Sequence, residues 1–95
     1  MLVAARADLA EAVTHYAEDD QSVASRLVTE YESLEIDIAA APGLGSPCGI
    51  RKARFRIFPT FPYSVYYIEL TDKIAVMAVA HHRRRTGYWR RRPIP

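Results

Sequence analysis

Near its C-terminus the sequence reads HHRRRTGYWRRR, with six arginines packed into residues 83–92 around the Tyr88-Trp89 pair. Guanidinium groups at this density hold phosphates or carboxylates by charge and by paired N–H donors, and arginines interleaved with aromatics can also stack on bases. A second basic stretch, IRKARFRIF, sets Lys52, Arg54 and Arg56 at every other position. A period of two belongs to a β-strand, so these bases share one face while Ala53, Phe55 and Ile57 share the other. A basic strand face suits an acidic partner segment or a nucleic-acid backbone. The plain alternatives are a solvated strand edge and a solubilising tail. Trp89 argues against the tail, because a large indole packs against something. The expected arrangement folds Tyr88-Trp89 back onto the sheet and leaves Arg83, Arg84 and Arg85 exposed for a target.

Other reactive side chains offer less. His81 and His82 are adjacent and point to opposite faces of a strand, so they cannot share one metal ion, and no Cys or acidic cluster accompanies them. Cys48 is the only cysteine. It excludes an internal disulfide, fits a reducing compartment, and lacks the flanking bases that would make its thiol a nucleophile. His15 reads as an exposed helix residue. No metal and no cofactor is expected.

Charge is divided along the chain. Residues 1–38 carry nine acids against Arg6 and Arg26, whereas residues 39–95 carry eleven bases against Glu69 and Asp72. Such polarity implies two surfaces with different partners. The N-terminus lacks a signal-peptide pattern and no run is apolar enough for a membrane span, so a soluble, cytoplasmic protein is expected. At 95 residues the chain is one domain, 1–95.

These side chains must be positioned by a small set of elements. Residues 1–4 are apolar and predict a short strand. Leu9, Val13 and Tyr16 recur at helical spacing within 5–18, and Val23, Leu27, Tyr31, Leu34 and Ile38 do so over a second helix ending near Ala41, before Pro42-Gly43. Asp19 or Asp20 caps the second helix, which makes the pair a helical hairpin. PGLGSPCG (42–49) is a turn-rich loop. Three strands follow: 52–57, YSVYYIEL after Pro62, and IAVMAVAH (74–81), whose apolar character on both faces predicts a central strand. The class is α+β, in the order β-α-α-β-β-β, with the hairpin on one face of an antiparallel sheet. The hairpin residues Leu27 and Tyr31 are read mainly as core.

The order of elements, the phrase FPYSVYYIE, the strand IAVMAVAHHRRR and the ending GYW together resemble RelE/ParE toxins of type II toxin–antitoxin modules. The resemblance implies a toxin of a plasmid-stabilisation module, held inactive by a cognate ParD-like antitoxin in a hetero-oligomer. It also implies that Lys52, Arg54, Arg56, Leu27 and Tyr31 border the antitoxin. The FPY turn and the H-x-R-R…Y-W ending resemble the ParE branch, which implies DNA gyrase as target, with Arg83, Arg84, Arg85, Tyr88 and Trp89 at the contact and no catalysis by the protein itself. The RelE branch would imply ribosome-dependent, metal-independent cleavage of mRNA by Lys52, Arg54, His82, Arg83 and Tyr88. Two arginines of that branch are replaced here by Ser64 and His82, which removes charge stabilisation from the phosphate.

Overall fold

The structure is a computed structural model describing all residues, Met1–Pro95. Helix α1 (Val3–Ala17) and helix α2 (Gln21–Ala40) form the hairpin. Asp20 caps α2, its carboxylate accepting from the Ser22 N–H at 2.9 Å and from the Ser22 hydroxyl at 2.7 Å, and these bonds hold its carboxyl below the usual range. One 3-10 turn (Pro42–Leu44) ends the helical half. The strands β1 (Ser46–Pro47), β2 (Arg54–Ile57), β3 (Tyr63–Glu69) and β4 (Ile74–His81) pair antiparallel in the order β1-β2-β3-β4.

The α+β class and the hairpin-then-sheet arrangement are those predicted. Three details differ. The leading strand over 1–4 shrinks to a single bond, the Leu2 N–H donating to the Val76 carbonyl at 3.1 Å, because α1 already begins at Val3 in an alanine-rich stretch. The turn-rich loop contributes the two-residue strand β1. Strand β4 lies at an edge of the sheet and not at its centre. Its burial on both faces arises because the hairpin covers one face and the C-terminal segment covers the other.

Two cores result, one on each side of the sheet. On the hairpin side Leu27, Tyr31, Leu34 and Ile38 of α2 pack with Val65, Tyr67, Val76 and Val79. On the outer side Trp89 packs with Ala53, Ile68, Ala75, Met77 and Ala78, and it is only 1 % exposed. The β3–β4 register shifts between Tyr66 and Tyr67, whose partners are Ala78 and Val76. The extra residue, Met77, breaks the alternation, so that Met77 and Ala78 both reach the outer core. Three alanines and a flexible methionine make a shallow bed into which an indole fits.

Strand β2 alternates as predicted, and its bases turn toward the hairpin side. Arg54 and Arg56 stand opposite Tyr67 and Val65, both hairpin-side residues, so the bases project on the side of the helices. Phe55 lies opposite Tyr66, with the two rings 5.5 Å apart, and it faces outward together with Ile57. The reason is that the outer face is not a solvent face: Trp89 occupies it and demands apolar neighbours. The hairpin side of this outlying strand is only partly covered, which lets Arg54 lie along the sheet and donate to the Gly45 carbonyl at 2.8 Å.

Truncation on either side of the sheet should therefore be severe. Leu27→Ala is expected to cost about 2–5 kcal/mol and Trp89→Ala about 3–5 kcal/mol of unfolding free energy. Urea unfolding followed by circular dichroism measures both. A Trp89→Ala loss under roughly 1 kcal/mol would mean that the C-terminal segment is no part of the core.

Candidate functional site

The arginine turn begins where β4 stops. His82 donates its N–H to the Pro62 carbonyl at 2.9 Å, and Arg84 donates its N–H to the His81 carbonyl at 2.9 Å. Gly87 then takes φ +74°, a backbone region open to glycine, and Tyr88 donates its N–H to the Arg85 carbonyl at 3.3 Å. His82, Arg83, Arg84, Arg85 and Thr86 are all exposed. None of the three arginines is ion-paired, since the one salt bridge of the molecule joins Arg92 to Asp8 at 2.7 Å. Arg84 lies 4.0 Å from the centroid of the Tyr88 ring, a cation–π contact that ties it to the C-terminal segment. Three unpaired cations on one short turn repel each other and attract any polyanion.

Asp8 holds the turn in place. Its Oδ2 accepts from the Val79 N–H at 3.1 Å, the Tyr88 hydroxyl at 3.0 Å and Arg92 Nη1 at 2.7 Å, while Oδ1 accepts from Arg92 Nη2 at 3.1 Å. Arg92 Nη1 also donates to the Met77 carbonyl at 3.0 Å. The bond to Asp8 raises the Arg92 pKa, and burial, followed by the Asp8 charge, pushes the Tyr88 phenol well up. Arg51 adds a second clamp, Nη1 donating to the Arg90 carbonyl at 2.7 Å and the Arg92 carbonyl at 2.5 Å. Arg51 and Lys52 sit at φ +52° and +60° in the tight turn Ile50–Ala53, a strained conformation for non-glycine residues.

Neither Asp8 nor Arg92 stood out among the candidates. The available signal was Asp8 itself: it falls between Ala5 and Ala12 at helical spacing, and those alanines are 0 % and 3 % exposed. An acid on the buried stripe of a helix needs a partner.

The structure sorts the other candidates. Arg83, Arg84 and Arg85 are exposed as expected. Trp89 is buried and supports the turn from below, so it offers no contact surface; Tyr88 is half-buried with its hydroxyl committed to Asp8. Leu27 and Tyr31 are core residues, 0 % and 4 % exposed, and any partner on the hairpin meets the surface above them. Lys52 is exposed in the tight turn and does not belong to the strand. One of the C-terminal arginines, Arg92, is locked to the hairpin through Asp8.

The set Lys52, Arg54, His82, Arg83 and Tyr88 is not gathered into one site. His82 Nε2 lies 3.0 Å from the Ser64 hydroxyl, and Ser64 pairs with Ile57. Arg54 is three residues back along β2, about 10 Å at strand rise, and projects through the opposite face. A tyrosine whose proton is tied to a carboxylate and whose pKa is raised is also a poor base at neutral pH.

His81 faces the hairpin side, its ring edge-on to Tyr63 at 4.9 Å, and its Nδ1 accepts the Arg83 N–H at 3.0 Å. Burial, then Arg83, His82 and His15, lowers its pKa. The folded pKa therefore lies below the unfolded value, so this contribution to stability is present above about pH 6.5 and is lost as pH falls through the window beneath. The urea midpoint should fall between about pH 7.5 and pH 5.5. His81→Asn, which keeps an acceptor for Arg83, should flatten that slope; an unaltered slope would assign the effect to other groups.

No curated protein matches the chain. No helix is long and apolar enough to cross a membrane. Residues 2–86 match the family described as ParE toxin of type II toxin-antitoxin system, parDE. The match spans both helices, all four strands and the arginine turn, and stops just before Gly87. With hairpin, sheet and exposed turn all inside the matched region, the chain belongs to the ParE toxin family of type II toxin–antitoxin systems.

Proposed function

We propose that this toxin inhibits DNA gyrase by binding the gyrase–DNA complex through the Arg83–Arg85 turn, and that a ParD-like antitoxin neutralises it in the cytoplasm as part of a plasmid-stabilising module. The observation that carries the reading is the exposed, unpaired state of three consecutive arginines on a turn fixed at both ends. A rigid cationic turn loses little conformational freedom on binding, so its charge converts into affinity more fully than that of a loose tail. The role asks for no proton transfer. Tyr88 and Arg92 serve as supports, and Trp89 is the floor beneath them.

The antitoxin would take the remaining charged surface. Arg54 and Arg56 lie on the hairpin side of the outlying strand and are partly exposed, which suits an acidic segment that orders on binding.

In gyrase reactions with supercoiled plasmid and ATP, the protein should cause linear DNA to accumulate. The combined change of Arg83, Arg84 and Arg85 to Ala should abolish that product and leave the thermal unfolding curve close to wild type. In programmed ribosomes the protein should leave mRNA intact. Message cut at codon positions, with no linear plasmid, would replace the gyrase reading by the ribonuclease one.

A further inference from the structure

On the outer face of the sheet, beside the arginine turn, lies a groove of about 300 Å³. Phe55, Ile57 and Tyr66 line its apolar side, and His82, Arg84 and Arg85 line the other. Its volume is at the lower end of small-ligand sites, roughly 300–1,000 Å³, enough for one flat ring and an attached phosphate. No carboxylate borders it. That distinguishes it from the larger groove between α1 and β4, which Asp8, Glu11 and Glu18 line together with Arg83 and Arg84.

The aromatic side is prepared for stacking. Phe55 and Tyr66 are only partly buried, and Tyr66 packs against Trp89 with the ring centroids 5.2 Å apart. Ile57 is 57 % exposed, an apolar side chain left without a partner at the rim. At the polar end the hydroxyl of buried Ser64 sits against His82 Nε2. An aromatic floor, an anion-selective rim and a fixed hydroxyl–imidazole pair are the parts that an unpaired nucleotide requires: stacking for the base and charge for the phosphate.

We infer that this groove binds one unpaired nucleotide of a single-stranded nucleic acid, the base lying on Phe55 and Tyr66 and the phosphate held by Arg84 and Arg85. Recognition is independent of sequence, because every base has a π-face on which an aromatic ring can stack. A paired base cannot enter, since its faces are occupied by its neighbours in the stack. The inference rests on the gyrase–DNA reading only for the identity of the strand that fills the groove.

The full-length protein is titrated against a fluorescent ten-nucleotide thymine strand and against a duplex of the same length, with anisotropy as the readout. The single strand should bind at least about tenfold more tightly than the duplex. Phe55→Leu, which keeps an apolar side chain and removes the ring face, should weaken strand binding about tenfold. Arg85→Ala should weaken it and should reduce the slope of log affinity against log salt by about 0.7. Arg6→Ala, on α1, should change neither. Equal affinity for strand and duplex, equal losses from Arg6→Ala and Arg85→Ala, or equally tight binding of an acidic decapeptide would overturn the site. Strand binding without linear plasmid in the gyrase assay removes the gyrase reading and leaves this site standing. Linear plasmid without strand binding removes the site alone.

Discussion

The carboxylate of Asp8 is the interaction on which the remaining architecture depends. It sits on α1, bonds the backbone of β4 at Val79, and holds the Tyr88 hydroxyl and the Arg92 guanidinium of the C-terminal segment. Three elements that are distant in sequence meet at one side chain. Charge-assisted bonds of this kind are roughly twice as strong as neutral ones, and the bidentate approach of Arg92 adds direction. Partial burial raises the cost of removing either partner, because a desolvated charge would be left behind. The same cluster gives partners to the Met77 carbonyl and the Val79 N–H of β4, while Leu2 supplies the Val76 carbonyl.

A sheet of this size usually has one buried face and one wet face. Here both faces are dry around β3 and β4, and the outer one is made dry by a segment that contributes a single large residue, Trp89. Met77 at the bulge and the alanines at 53, 75 and 78 create the depth it needs. Gly45 answers a similar demand on the hairpin side, where a Cβ would collide with the Tyr67 phenol that donates to the Pro42 carbonyl at 2.5 Å. The cationic turn is thus mounted on a rigid base, with the strand end on one side and the indole on the other.

Much of this was legible in the sequence. Apolar spacings of three and four placed both helices, Asp20 and Pro42 marked the limits of α2, and the alternation in RFRI identified a strand. What periodicity cannot supply is which way an alternating strand turns. That depends on what covers each face, and the cover of the outer face comes from a residue more than thirty positions later in the chain. For the same reason the two-sided apolar run of β4 looked central: burial records coverage and not position in the ladder. Asp8 escaped notice because counting acids places it among the solvated ones, and only its neighbours Ala5 and Ala12 mark it as buried. The arginine turn was readable because exposure of consecutive charges needs no long-range information.

Strand β1 spans just two residues and pairs only with Arg54 and Phe55, so β2 beyond them has no neighbour on its outer flank. The opposite flank of the sheet is sealed by side chains. Lateral growth by adding strands from other copies thus has one docking line per molecule. Two molecules meeting along that line consume both, and the assembly closes at a pair instead of extending into a fibre.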